Sequence, residues 1–120
     1  MAAQSARPEF SIAAVQHDGH MVLTLRGEID LLSAPQMDDA IVAALRIHPY
    51  TLVMDMSAVT FMDSSACRSL VRARTDAIRS AVELELRGVT AAGRRTLEIL
   101  ELDKLFTFTS NGDGQDELDS

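Results

Sequence analysis

Residues 52–70 read LVMDMSAVTFMDSSACRSL, and within them a strand pattern gives way to a helix pattern. The first part is a nearly continuous apolar run interrupted by Asp55, which is typical of a central strand covered on at least one face. From Asp63 onward, apolar residues recur at helical spacing. They are predicted to share one helix face: Cys67, Leu70, Val71 and Ile78. This stretch therefore predicts a strand, a short junction and a helix, which is the repeating unit of a parallel sheet.

The residues at the start of the chain predict a hairpin. Apolar residues recur at every second position in residues 10–14 and in residues 21–25, so that each stretch places three of them on one face of a strand. Asp18-Gly19 lies between the two stretches as a typical hairpin turn pair. We therefore expect the first two strands to be antiparallel neighbours.

A helix is predicted between this hairpin and residue 52. Ser33 is a candidate N-cap, Gln36 stands at the capping-box position, and Pro35 falls in the first turn, where its missing N–H costs little. We expect this helix to end near His48-Pro49.

The last third of the chain predicts a strand, a helix and a short final strand. Val82, Leu84 and Leu86 alternate with charged residues, Thr90 is placed to cap a helix, and residues 105–109 read LFTFT. The element order is then β-β-α-β-α-β-α-β, an α/β fold with a mixed sheet of about five strands and about three helices. We expect a flexible segment at 1–8, one domain over 9–110 and a flexible acidic tail at 111–120.

The composition argues against several classes of protein. The net charge is −7, and residues 9–110 carry 10 bases against 14 acids, so the basic face of a duplex nucleic-acid binder is not evident. The chain shows neither an apolar run of about 18 residues nor a signal-peptide segment. Its single cysteine excludes an internal disulfide. We therefore expect a cytoplasmic protein that has no membrane span and binds no nucleic acid directly.

The sequence does not indicate an enzyme, a metal or a cofactor. The three histidines are not spaced as metal ligands, and no phosphate-binding loop or dinucleotide fingerprint is present. Cys67 lies on the predicted apolar face, which favours a buried filler over a reactive thiol. One alternative stays open: Asp30, Asp55 and Asp63 are expected at or near strand-to-helix junctions, where three carboxylates suit a magnesium ion.

Ser64 and Ser65 permit two interpretations on physical grounds. In the first, all three residues simply start the helix: Asp63 precedes the helical pattern and is the better cap, and the two serines occupy the first turn. Alternatively, Ser64 is phosphorylated. A phosphate near the positive end of the helix dipole is tolerated by the fold, and its roughly two negative charges beside Asp63 repel whatever docks there.

These residues also carry a resemblance to a known family. The motif Gly27-Glu28-Ile29-Asp30 follows a strand, as in the STAS domain. A second STAS motif is matched in register by Asp55, Ser57, Val59, Phe61, Asp63, Ser64, Ser65 and Ala66. Over about residues 9–110 the chain resembles the stand-alone bacterial anti-sigma factor antagonists of that family.

The resemblance implies a binding protein rather than an enzyme. Its partner would be an anti-sigma factor with serine kinase activity, and binding would release a sigma factor for transcription. The kinase would phosphorylate Ser64, the serine after the motif aspartate, and a serine phosphatase would reverse this. The implied partner-binding residues are Asp30, Asp63, Ser64, Ser65 and Ala66. The alternative within the same family is a scaffold or transport-complex subunit that phosphorylation does not regulate.

Overall fold

The structure is a computed structural model that describes residues 10–110. The predicted segment at 1–8 and the predicted tail at 111–120 lie outside the described residues. The elements are β1 (Ser11–His17), β2 (His20–Ile29), α1 (Ala34–Arg46), β3 (Thr51–Met62), α2 (Ser64–Arg79), β4 (Glu83–Arg87), α3 (Ala91–Ile99) and β5 (Thr107–Thr109), with a 3-10 turn at Asp103–Leu105. The strands form one mixed sheet in the order β1-β2-β3-β4-β5, in which β1 is antiparallel to β2 and the other neighbours are parallel. The predicted α/β fold class and element order are confirmed.

The predicted hairpin turn is present at Asp18-Gly19. Both residues have positive φ, 51° and 81°, and His17 pairs with His20 across the two-residue loop. Two consecutive left-handed residues are the backbone that a tight turn needs to match the twist of its strands.

The two central strands, β2 and β3, differ in the spacing of their buried residues. β2 buries every second residue from Met21 to Ile29. On the core side, β3 buries residues spaced by two and then by three, and it also buries Val53. The core-side residues are Leu52, Met54, Met56, Val59 and Met62. The register explains this, because β3 contains one extra residue relative to β2 between Asp55 and Ala58, and another between Val59 and Phe61. These two bulges keep the apolar side chains of both strands on the core side.

The first bulge is held by Asp55, whose Oδ1 accepts the backbone N–H of Ser57 at 3.0 Å and the Ser57 hydroxyl at 2.7 Å. The carboxylate thus gives a bulge residue an acceptor within its own strand. Asp55 therefore lies in the middle of β3, and the prediction that placed it at or near a strand-to-helix junction is wrong.

The face of α2 that packs inward consists mainly of small side chains. Its buried residues are Ala66, Cys67, Ser69, Leu70, Ala73 and Ala77. Ile78, which we expected on this face, is exposed. It follows Ala77 by one residue, and one residue rotates a helical side chain by about 100°. α2 contacts α1, β3 and β4, and α3 contacts β3.

All three helices are followed by a residue with positive φ, namely His48, Ala81 and Glu101. After α2, the N–H of Ala81 donates to the carbonyl oxygen of Ile78 and the N–H of Val82 donates to that of Ala77. This is the Schellman arrangement, which glycine usually closes and alanine closes here. Within residues 10–110, no helix has the length and apolarity needed to span a membrane.

Candidate functional site

The candidate site forms where β2 and β3 end side by side. Ile29 and Met62 are paired in the parallel register, and the N–H of Asp63 donates to the carbonyl oxygen of Ile29 at 3.2 Å. Asp30 follows Ile29 in the chain, and Asp63 follows Met62. The two motifs recognised in the sequence are therefore neighbours at the carboxyl edge of the sheet, where open α/β folds place their sites.

Asp63 is the N-cap of α2, as predicted. Its backbone is extended, and its Oδ1 accepts the N–H groups of Ser65 at 2.8 Å and Ala66 at 3.1 Å. Its carbonyl oxygen accepts the N–H of Cys67 at 3.1 Å. The first N–H groups of a helix have no partner within the helix, and the Asp63 carboxylate supplies an acceptor for two of them; the bond to Cys67 is the first regular bond of the helix.

The three residues after Asp63 differ in exposure. Ser64 is exposed, Ser65 is half-buried, and Ala66 is completely buried. One turn further along α2, Arg68 is exposed below Ser64, whereas Ser69 is fully buried below Ser65. Ser64 therefore presents its hydroxyl to solvent, and the side chain of Ala66, which the resemblance implied in partner binding, packs in the interior.

Asp30 organises the turn that leads into α1. Its Oδ1 accepts the N–H groups of Leu32 at 3.0 Å and Ser33 at 3.1 Å. The Ser33 hydroxyl accepts the N–H of Asp30 at 2.9 Å and donates to the carbonyl oxygen of Glu28 at 3.0 Å. The turn and the end of β2 are thus tied together by side-chain bonds.

The predicted capping box at the start of α1 does not form. Ser33 is the N-cap residue, but its side chain makes no cap hydrogen bond, and its backbone is in the right-handed helical region. An N-cap side chain normally reaches the helix N–H groups from an extended backbone. Here the hydroxyl points back toward Asp30 and Glu28 instead.

Three large apolar side chains at this edge are exposed, and sequence reasoning did not select them. Leu31 is 69% exposed, Leu32 is 77% exposed and Phe61 is 52% exposed. Leu31 and Leu32 belong to the Asp30 turn, and Phe61 pairs in register with Glu28, the residue before the buried pair Ile29 and Met62. The sequence feature that could have pointed to Leu31 and Leu32 is that these two adjacent leucines lie between a strand pattern and a helix pattern. We call Leu31, Leu32, Phe61 and Ser64 the Ser64 surface.

The magnesium alternative loses one of its three carboxylates. Asp55 lies within β3 and accepts two bonds from Ser57. Among residues 10–110, no three histidine, cysteine or acidic side chains form a group able to hold a metal ion.

Cys67 follows Ala66 near the start of α2, and it is buried. Burial raises the pKa of its thiol, and the negative charge of Asp63 raises that pKa further. The thiol is thus kept in its neutral, weakly nucleophilic form, as a buried filler would be.

Comparison with known proteins places this geometry in a family. The sequence profile of the STAS domain matches residues 11–113. The chain belongs to the STAS domain family. This STAS domain is 35% identical over 109 residues to the anti-sigma-F factor antagonist RsfB of Mycobacterium tuberculosis, a match covering 88% of this chain and 86% of that protein.

Solved structures agree with the assignment. An anti-sigma factor antagonist from Mycobacterium paratuberculosis superposes with a TM-score of 0.77 at 29% identity, covering 92% of both chains. The phosphorylated form of the Bacillus cell fate determinant SpoIIAA superposes with a TM-score of 0.65 at 18% identity, covering 92% of this chain and 97% of that one. At that identity the second likeness concerns the fold alone.

Proposed function

We propose that this STAS domain is an anti-sigma factor antagonist that binds an anti-sigma factor through the Ser64 surface, and that phosphorylation of Ser64 ends the binding. The observation that carries the proposal is an exposed serine hydroxyl at the start of α2, at the same sheet edge as three exposed apolar side chains. The names of the mycobacterial relatives support the class of partner.

The apolar side chains supply the attraction that a docking partner needs. Large apolar groups that share one exposed edge mark protein interaction sites, because their burial is favourable only when a partner covers them. Leu31 and Leu32 come from the turn after β2, and Phe61 comes from the end of β3. The hydrogen bonds of the Asp30 turn and the bond between Asp63 and Ile29 hold these two segments together. The surface is therefore already formed in the unbound protein.

A phosphate on Ser64 would oppose docking for an electrostatic reason. It adds close to two negative charges at pH 7, beside the acidic Asp63. Burying that charge against an apolar interface carries a large desolvation cost. The domain itself keeps its fold, because Ser64 is exposed and the cap hydrogen bonds of α2 are made by the Asp63 side chain.

Burial favours Ser64 over Ser65 as the modified residue. Ser65 is half-buried, and the position one turn below it is the fully buried Ser69. A kinase has direct access to the exposed Ser64 hydroxyl, whereas modification of Ser65 would place charge against the interior.

The proposal also defines the partners and the place of action. The anti-sigma factor would carry the serine kinase activity, a serine phosphatase would restore the binding form, and no cofactor or nucleic acid would take part directly. The chain acts as a binding protein, not as an enzyme, in the cytoplasm where sigma factors engage RNA polymerase.

Binding to the purified cognate anti-sigma factor tests the proposal. Ser64→Ala is expected to bind within about threefold of the wild type, and Ser64→Glu at least about tenfold more weakly, equivalent to about 1.4 kcal/mol. Ser11→Glu is the matched control, because it adds the same charge at an exposed position on β1. The partner itself is identified by co-purification from the native source and mass spectrometry.

Two results would contradict the proposal. Stoichiometric phosphorylation of Ser64→Ala by the kinase would show that the site is elsewhere. Equal binding by Ser64→Glu and Ser11→Glu would show that the partner docks on another surface. Co-purification with a membrane transport complex and without a kinase would instead favour the scaffold alternative.

A further inference from the structure

We propose that Arg68 is the internal counter-ion of a phosphate on Ser64. The inference rests on the phosphorylation proposed above and names the residue of this chain that would bind the modification. Ser64 and Arg68 lie four residues apart in α2, and both are exposed. Residues with this spacing lie on the same helix face with their Cβ atoms about 5–6 Å apart.

Two of the amide groups at the start of α2 already have an acceptor. The N–H groups of Ser65 and Ala66 donate to the Asp63 carboxylate. A helix start without an acidic cap would offer these two donors to an anion. A phosphate on Ser64 would therefore gain from a further donor supplied by a side chain.

Arg68 is the arginine of α2 that meets this need. Arg72 donates to Asp38 of α1 at 3.0 Å, and Arg74 donates to the carbonyl oxygen of Leu105 at 2.9 Å. Within residues 10–110, Arg68 makes neither a hydrogen bond nor an ion pair of its own. Its guanidinium can therefore turn toward position 64 without giving up an existing contact.

Three acidic residues lie at the sheet edge near Ser64: Asp63 precedes it in the chain, and Glu28 and Asp30 stand at the end of the neighbouring β2. A fourth acid, Asp38, is already paired with Arg72, which joins α1 to α2 one turn beyond Arg68. The three acids at the sheet edge raise the second pKa of a phosphate at position 64. Arg68 lowers it, because a guanidinium binds the dianion more strongly than the monoanion. The acid before the base at this spacing is also the favourable order in a helix.

The test uses full-length protein with phosphoserine installed at position 64 during translation, so that no kinase is required. The second pKa of the phosphate, ordinarily about 6, is followed by phosphorus NMR in the otherwise wild-type chain, in Arg68→Gln and in Arg72→Gln. Arg68→Gln is expected to raise this pKa by about 0.15–0.4 unit. Arg72→Gln is the matched control one turn further along the same helix face and is expected to leave it unchanged.

A second readout is the midpoint of thermal unfolding in a double-mutant cycle. Its four proteins carry serine or phosphoserine at position 64, each combined with arginine or glutamine at position 68. Phosphorylation is expected to lower the midpoint more in Arg68→Gln than in the wild type. Equal phosphate pKa values in the wild type and Arg68→Gln would overturn the inference, and so would an equal shift in Arg72→Gln. Undiminished anti-sigma factor binding by the phosphoserine protein would overturn the proposed function and leave the pKa comparison intact.

Discussion

The division of roles between Asp63 and Ser64 leads to a quantitative prediction for Asp63→Ala. The substitution removes the oxygen that accepts the N–H groups of Ser65 and Ala66. Loss of an N-cap acceptor costs about 0.5–2 kcal/mol. We expect the upper half of that range, about 1–2 kcal/mol, because two N–H groups lose their acceptor and Ala66 is completely buried. For a domain of this size the melting temperature should fall by about 5–10 °C.

Urea unfolding followed by far-UV circular dichroism measures the effect, with the midpoints compared at a common slope. Asp63→Asn is the matched control, since asparagine keeps an acceptor at the same position and removes the charge; we expect it to cost less than about 0.5 kcal/mol. Ser64→Ala is the second control and should stay within about 0.5 kcal/mol of the wild type, as an exposed substitution without a structural bond does.

Two outcomes would refute the reasoning. A free energy of unfolding for Asp63→Ala within about 0.5 kcal/mol of the wild type would mean that the cap contributes little to the fold. Equal destabilisation by Asp63→Asn and Asp63→Ala would assign the effect to the charge instead of the hydrogen bonds.

Three further predictions concern other parts of the domain. Asp55→Ala should destabilise it by about 0.5–1.5 kcal/mol in urea unfolding, because the N–H and hydroxyl groups of the exposed Ser57 lose their acceptor at a β3 bulge. Asp55→Asn should cost less; equal costs would argue against the hydrogen bonds with Ser57. Ala81→Gly should stabilise the domain by about 0.5–1 kcal/mol in the same assay, since Ala81 is exposed with a φ of 59° that glycine adopts without strain; a loss of stability would show that the unfolded-chain entropy of glycine dominates. Burial and the charge of Asp63 hold the pKa of Cys67 above its ordinary value, so the folded protein keeps a proton that the unfolded chain releases above about pH 8.5. Stability is thus fully present below that pH and declines above it, and from pH 7.5 to 9.5 the melting temperature should fall more steeply than in Cys67→Ala; parallel curves would contradict this.

Features that depend on neighbours along the chain could be predicted from the sequence. The turn at Asp18-Gly19, the cap at Asp63 and the order of strands and helices each follow from contacts within a few residues, which fixed spacings reveal. The approach of Asp30 to Asp63 was predictable in outline, because parallel strands end at one edge of the sheet.

Features that depend on pairing between distant segments could not be predicted in this way. The two bulges of β3 arise from its register with β2, so the distance between Asp55 and the end of the strand was fixed only once both strands were aligned. Leu31, Leu32 and Phe61 are likewise exposed because no other element among residues 10–110 covers them. Periodicity reports which side chains share a face, whereas burial depends on which other element covers that face, and this is a property of the assembled sheet and helices.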